Sequence, residues 1–306
     1  MERRDFIKKA TCGLMVAGIG KGSSEASPSP VSSNKAKFTL KYAPTLSMFK
    51  VHAGKDPIDN LKFIADQGFR AAYDLGLINR SPAEQERIAN EASRLDLELG
   101  QFSLKTAGAV HFVLDNPSCR EILKKKMEAG LEVQKRTGIR KGLVVLGNLD
   151  PKLSREYQTA NVIENLRRCC EIVEKAGLEL VLEPLNTLIN HPGVFLTRTS
   201  QAKMICVAVN HPCCKMVDDF YHQQVTEGNL ISHLEMCRDY IGSIHIGDNP
   251  GRNEPTTGEI NYKYIFQYLY NKGYTDILSC EHGQSKPGKE GELAVIRAYR
   301  EVDPIV

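Results

Sequence analysis

The chain has 306 residues, 42% hydrophobic and 25% charged, with 40 Lys and Arg against 37 Asp and Glu for a formal charge of +3. That composition excludes wholesale disorder, collagen-like repeats and a polytopic membrane protein. So small a basic surplus gives no general attraction to phosphate backbones, so nucleic acid is not an expected partner.

Residues 1–35 differ from the rest and read as a leader and linker, leaving 36–306 as one domain. Arg3-Arg4 precede Phe6-Ile7 and Lys8-Lys9; a weakly apolar stretch runs from Ala10 to Gly20, and a Ser/Pro/Ala-rich run follows to Asn34. A basic start, a short apolar stretch and a small-residue exit are the parts of a secretory signal, and the arginine pair resembles a twin-arginine signal. The expectation is export, in a bacterium to the periplasm, with a weakly marked cleavage point near Ala26; a leader that does not function leaves the protein in the cytoplasm. Eleven apolar residues are too few to span a bilayer, so no stable membrane anchor is expected.

From Phe38 onward, apolar runs alternate with amphipathic stretches. The runs are 38–47, 69–76, 97–104, 142–148, 178–186, 215–222, 241–248 and 276–283. The stretches between them predict helices over Pro57–Gln67, Pro82–Leu95, Ser118–Thr137, Arg155–Ala176, Ser200–Val209, Asn229–Tyr240 and Tyr262–Lys272, with Glu292–Arg300 closing the series. Gly68, Gly138, Gly177 and Gly273 each follow a helical stretch, where a left-handed cap is wanted. Strands alternating with helices of 10–20 residues imply parallel βαβ units, and eight of them predict a (β/α)₈ barrel; a doubly wound sheet is the alternative.

Nine cysteines show no C-x₂-C spacing and no zinc pattern. Mostly reduced, half-buried small side chains are expected rather than a disulfide framework. No G-x-G-x-x-G, phosphate loop or nucleophile elbow occurs, so neither nucleotide cofactors nor serine hydrolysis is indicated.

Four ionisable residues interrupt the last four apolar runs near their C-terminal ends: Glu183, Asp219, His245 and Glu281, with gaps of 36, 26 and 36 residues. One β/α unit has about that length, so all four fall at the barrel face where catalytic groups of this fold sit. A lone acid inside an apolar strand loses several kcal/mol of hydration. Three acids and an imidazole converging there are reconciled by a divalent cation, and oxygen with imidazole ligands suits Mg²⁺, Mn²⁺ or Co²⁺ at least as well as Zn²⁺. The competing reading takes each as a surface acid or a satisfied core histidine. It weakens when four residues share one phase of four consecutive units.

The segments Leu182-Glu183-Pro184-Leu185-Asn186-Thr187, Pro192-Gly193-Val194-Phe195-Leu196, Asp219-Phe220-Tyr221-His222, Pro250-Gly251-Arg252-Asn253-Glu254-Pro255, Gly258-Glu259-Ile260-Asn261-Tyr262 and Cys280-Glu281 resemble hydroxypyruvate isomerases. These are members of the xylose isomerase-like TIM barrels, which also include ketose 3-epimerases. The resemblance runs from about 38 to 300 and is densest between 180 and 283. It implies metal ligands at Glu183, Asp219, His245 and Glu281, with the two glutamates as proton donor and acceptor. It places His222 and Arg252 on substrate oxygens; apart from the family, Arg252 reads equally well as a loop salt bridge to Glu254 or Glu259. Two departures stand out. His245 matches the epimerases, where the isomerases carry Gln, and Tyr73-Asp74 stand where an acid is usual in the second strand.

The implied chemistry is proton abstraction beside a carbonyl in a small sugar or hydroxy-keto acid such as hydroxypyruvate. Return of the proton to the neighbouring carbon is isomerisation; return to the same carbon from the other side is epimerisation, the alternative on the same site. A metal-dependent phosphodiesterase and a non-catalytic exported sugar-binding barrel are the other readings. The sequence leaves the oligomeric state open, a homo-oligomer included. Of the remaining candidates, His111 and Asp115 read as a solvated loop, His191 and His211 as turn residues before proline, and His282 as a residue lining the mouth beside Glu281. The Lys124–Lys126 run, with Glu121 and Glu128, reads as a solvated helix face.

Overall fold

Every ladder between the strands is parallel. A computed structural model of the chain describes residues 35–104, 106 and 110–305, and the leader and linker expected over residues 1–35 lie, but for Lys35, outside them. In chain order the elements are β1 (Lys41–Ala43), α1 (Lys50–Ala53), α2 (Pro57–Asp66), β2 (Ala71–Ala72), α3 (Pro82–Arg94), β3 (Glu98–Leu99), β4 (Phe102–Ser103) and α4 (Pro117–Thr137). They continue as β5 (Lys141–Val144), α5 (Arg155–Val173), β6 (Glu179–Leu182), α6 (Thr199–Val209), β7 (Cys214–Asp219), α7 (Phe220–Thr226) and α8 (Leu230–Cys237). The series closes with β8 (Ile241–Ile246), α9 (Tyr262–Asn271), β9 (Ile277–Cys280) and α10 (Gly288–Val302).

One sheet runs β1-β9-β8-β7-β6-β5-β4, and β2 pairs with β3. Backbone bonds outside the strands carry the ladder across the remaining gap. Tyr73 donates its N–H to Pro44 O and accepts from Leu46 N, while the N–H groups of Gly100 and Ser103 donate to Ala72 O and Leu75 O. The strands thus follow one another round in chain order. All eight apolar runs carry a strand. The third is split into β3 and β4 at Gly100-Gln101, where a Cβ on Gly100 would come 3.0 Å from Tyr73 Cβ.

Helix starts follow capping chemistry. Asp56, Ser81, Asn116, Ser154 and Asn261 each accept a backbone N–H of the first turn, and proline opens α2, α3 and α4. At the other end of α4, Gly138 takes φ +73° and closes the helix through its N–H to Gln134 O. Two short helices, α1 and α7, were not expected. The run 215–222 is a strand only as far as Asp219, whose side chain accepts the His222 N–H and starts α7.

Strand alternation sorts the core. Leu180, Leu182 and Met216 face the helix layer in the main cluster, whereas Leu143, Val181 and Val217 form a separate cluster inside the barrel. The eight described cysteines are all unpaired and buried, as expected of small core residues. Asp218 points outward with Met216 and has no partner on either oxygen; burial pushes its carboxyl up to about 8. Among the described residues no helix is long and apolar enough to cross a membrane.

Candidate active site

The three acids and the histidine singled out by spacing meet at one place. Glu183 follows β6, Asp219 ends β7, His245 lies in β8 and Glu281 follows β9; each offers a ligand atom, and these atoms all lie within 4.8 Å of one another. The register makes this unavoidable, because Asp219 pairs with His245 and His245 with Ser279 across adjacent strands. His245 Nδ1 is 3.0 Å from Glu183 Oε1, 3.7 Å from Asp219 Oδ2 and 2.5 Å from Glu281 Oε2. Glu183, Asp219 and His245 are almost fully buried, while the Glu281 side chain keeps 25% exposure toward a cavity.

Charges in the cluster are strongly coupled. Burial, then repulsion from Glu281, raises the Glu183 carboxyl to about 7 despite the opposing hydrogen bond from His245. Burial acts in the same sense on Asp219 and Glu281, but cationic neighbours outweigh it and both fall below the ordinary range: His222, Arg252 and His245 for Asp219, His245 and Arg252 for Glu281. Burial disfavours charge on His245, yet the facing carboxylates lift its proton affinity well above the usual imidazole value. A group of anions that holds protons and an arginine so tightly suits a hard divalent cation. Three carboxylates and one imidazole are an oxygen-rich donor set of the kind Mg²⁺ and Mn²⁺ take.

His222 and Arg252 flank the cluster. Asn186 donates both its backbone N–H and its side-chain amide to His222 Nδ1, and the amide is oriented by Ile189 and Asn190 N–H groups on its oxygen. That leaves the hydrogen of His222 on Nε2. Burial lowers its pKa to about 4, so the ring is a neutral donor at neutral pH. Arg252 Nη2 is 3.1 Å from Asp219 Oδ2 and 3.2 Å from Glu281 Oε2, and its Nε donates to Glu281 O. The loop salt bridge to Glu254 or Glu259 is not formed. Glu254 accepts from Ser285, and Glu259 from Asn249 and Gln224. Arg252 sits at φ +49°, rare for a side chain of this size, with its carbonyl held by Gly283 N–H and its guanidinium 5.0 Å over the Tyr221 ring.

A cavity of about 300 Å³ opens over the cluster, lined by Glu183, His191, His222, Arg252, Asn148 and Glu281 among others. His191 is therefore more than a turn residue: its loop folds over the mouth and sets its ring edge-on to His222, 5.3 Å between centroids. A larger cavity, about 960 Å³, lies at the opposite mouth among the ion pairs Lys41–Glu98 and Lys141–Asp276, with none of the four clustered residues on its wall.

The other candidates take structural places. Asp115 pairs with Arg120 and Arg168, and His111 lies 3.9 Å from Cys119 Sγ. His211 accepts Cys213 N–H in its turn, as expected. His282 does not line the mouth but stacks on Tyr299 and hydrogen-bonds its hydroxyl. Lys124 and Lys125 pair along their helix with Glu128 and Glu121. In the second strand, Tyr73 is buried with its hydroxyl toward Cys280 O, and Asp74 binds Arg80, so neither adds an acid to the cluster. Sequence reading missed Asn186, Tyr221 and Gln101. The first two lie in the quoted family segments; Gln101 carries no local signal beyond being polar in an apolar run.

The profile of the family described as Xylose isomerase-like TIM barrel matches residues 61–301. The chain belongs to that family. Hydroxypyruvate isomerase from Escherichia coli (strain K12) is 34% identical to this xylose isomerase-like barrel over 168 residues, 54% of this chain and 64% of that enzyme, slightly under two thirds of its length. An AP endonuclease, family 2, from Brucella melitensis has a similar structure, with TM-score 0.72 at 23% identity over 83% of this chain and 96% of that one. 3-keto-D-glucoside 4-epimerase from E. coli gives 0.71 at 19% identity over 86% and 99%. At such identities the two structures share the barrel alone with this family member.

Proposed function

We propose that this protein is a divalent-metal-dependent isomerase of hydroxypyruvate or a related small hydroxy-keto acid. The observation that carries the reading is the convergence of Glu183, Asp219, His245 and Glu281 at one point, within reach of a neutral His222 and of Arg252. Glu183, Asp219, His245 and Glu281 would hold the cation. When bound, it supplies Lewis-acid stabilisation of negative charge on the substrate's carbonyl and neighbouring hydroxyl oxygens.

The chain's own groups do the rest. One of Glu183 and Glu281 takes the proton from the hydroxyl-bearing carbon beside the carbonyl and the other returns one to the former carbonyl carbon, while the hydroxyl hydrogen passes to the former carbonyl oxygen. His222 donates its Nε2–H to a substrate oxygen, with Asn186 fixing that tautomer. Arg252 offers paired N–H donors to the acid end, and the cavity walls limit water. Arg252→Met is expected to lower kcat/KM for the keto acid about a hundredfold, mostly through KM. Steady-state kinetics at saturating metal checks this, and an unchanged KM contradicts it.

Two readings of the same site are separated by one assay. The protein is incubated with hydroxypyruvate and free ketoses in ²H₂O with Mn²⁺ or Mg²⁺, followed after metal removal by NMR. Deuterium on the original carbonyl carbon, with the carbonyl displaced to its neighbour, supports isomerisation. Deuterium with inversion at the carbon beside an unmoved carbonyl supports the epimerase reading, which His245 favours; no exchange from any substrate supports a sugar-binding barrel.

Partners beyond a small sugar or keto acid, whether nucleic acid or membrane, form no part of the proposal. Export by the twin-arginine route does, resting on Arg3-Arg4 and the apolar stretch after them. Arg3→Lys with Arg4→Lys is expected to leave the protein in the cytoplasm of a twin-arginine-competent bacterium. Equal periplasmic amounts for both forms overturn that route.

A further inference from the structure

Below the ligand layer the barrel interior is unevenly filled. Leu143, Val181 and Val217 make one side apolar. On the other side Ser243, Ser279 and Gln101, all at most 2% exposed, form a closed polar group. The two serine hydroxyls are 3.0 and 3.1 Å from Gln101 Oε1, and Gln101 Nε2 is 2.5 Å from His245 Nε2. Ser243 and Ser279 stand two residues before His245 and Glu281, on the same inward face of β8 and β9. Three buried polar side chains cost desolvation free energy that apolar residues of similar size would not, so they call for a reason.

The reason lies in the opposed demands on His245. Its Nδ1 faces the three carboxylates, and its Nε2 faces Gln101. The two ends of a side-chain amide have the same shape, and half a turn about the last bond exchanges them. With the amino end toward the ring, Nε2 must accept, the hydrogen sits on Nδ1, and that nitrogen is closed to a cation. With the carbonyl end toward the ring, Nε2–H donates to Oε1 and Nδ1 keeps its lone pair. The serine oxygens then accept from the amide NH₂, which hydroxyls can do as readily as donate.

We infer that Gln101 is a positioning residue that fixes the ligating tautomer of His245 by presenting its carbonyl to Nε2, with Ser243 and Ser279 holding the amide in that orientation. The inference rests on the reading of the four-residue cluster as a cation site. Loss of an acceptor behind a ligating histidine typically weakens metal binding 10–100-fold.

Titration calorimetry with Mn²⁺ on the full chain and two variants tests it. Gln101→Met removes the acceptor and is expected to weaken Mn²⁺ binding by about 10–100-fold, whereas Gln101→Glu restores an acceptor and stays within about threefold of the parent. In the Mg²⁺-loaded parent, long-range ¹H–¹⁵N correlation is expected to show His245 as the Nε2–H tautomer, a readout that needs no variant to fold. Met and parent proteins of equal Mn²⁺ affinity overturn the inference, as does an Nδ1–H tautomer in the loaded protein. Met and Glu variants weakened alike, with matching losses in Tm, reduce Gln101 to a packing residue and overturn it too. Failure of the parent itself to bind Mn²⁺ removes the cation reading first, so the two failures are distinguishable.

Discussion

Glu183→Gln and Glu281→Gln are each expected to lower turnover at saturating Mn²⁺ by about 10³-fold or more, since each removes a proton-transfer group and a charged ligand together. The fold should survive both changes. Glutamine keeps the shape, and in the metal-free protein it removes one of three mutually repelling acids; burial and the Glu281 charge already push the Glu183 carboxyl up. The metal-free Glu183→Gln variant is therefore expected to melt no lower than the metal-free parent, whereas Glu281→Gln gives up its ion pairs to His245 and Arg252 and is expected to melt lower. Turnover measured beside Tm and Mn²⁺ affinity separates lost chemistry from lost folding and from weak metal occupancy. Activity within tenfold of the parent in either variant, with metal bound, contradicts the assignment of the two glutamates.

The second large effect is that of the metal itself. Chelation is expected to abolish turnover, and Mn²⁺ or Mg²⁺ to restore it. A ligand present at a hundred times its Kd adds about 2.7 kcal/mol to the stability of the state that binds it. For a barrel of this size that is a rise in Tm of about 5–10 °C. The added ion takes over the role now shared by His245 and Arg252, which sit against the carboxylates of Asp219 and Glu281. His245→Ala is expected to lower the Tm of the chelated protein, because it unpairs buried carboxylates, and to lose most of the metal-induced rise measured against its own chelated form. A parent whose Tm does not respond to Mn²⁺, Mg²⁺ or Co²⁺ supports a binding protein without catalysis.

Much of this was legible in the chain. Eight apolar runs, each followed by an amphipathic stretch with a capping residue at one end and often a glycine at the other, are local features. Local hydrogen bonding and side-chain period decide them without help from distant residues. The candidate ligand cluster was legible for a related reason: an acid or histidine that ends an apolar strand is costly, and a repeat of about one β/α unit puts four of them in one phase.

What could not be read depends on which face a residue takes and what a distant loop brings against it. Asp218 and Asp219 are adjacent acids; the pleat sends one into the helix layer and the other to the ligand point. His191 and His211 both precede proline, yet one loop crosses the mouth and the other turns at the start of β7. His282 adjoins Glu281, and the same alternation turns it onto Tyr299.

By itself the sequence determined the parallel α/β architecture, the ends of most helices and the identity of four candidate ligands, because those follow from local period, capping and the cost of burying charge. Only the tertiary structure decided that their ligand atoms approach within 4.8 Å, that Arg252 turns to Asp219 and Glu281, and that Gln101 stands behind His245 with two serines. The physical reason is strand register: parallel pairing of β6 with β7, β7 with β8 and β8 with β9 brings together the side chains of residues 183, 219, 245 and 281, a closeness that no local pattern encodes.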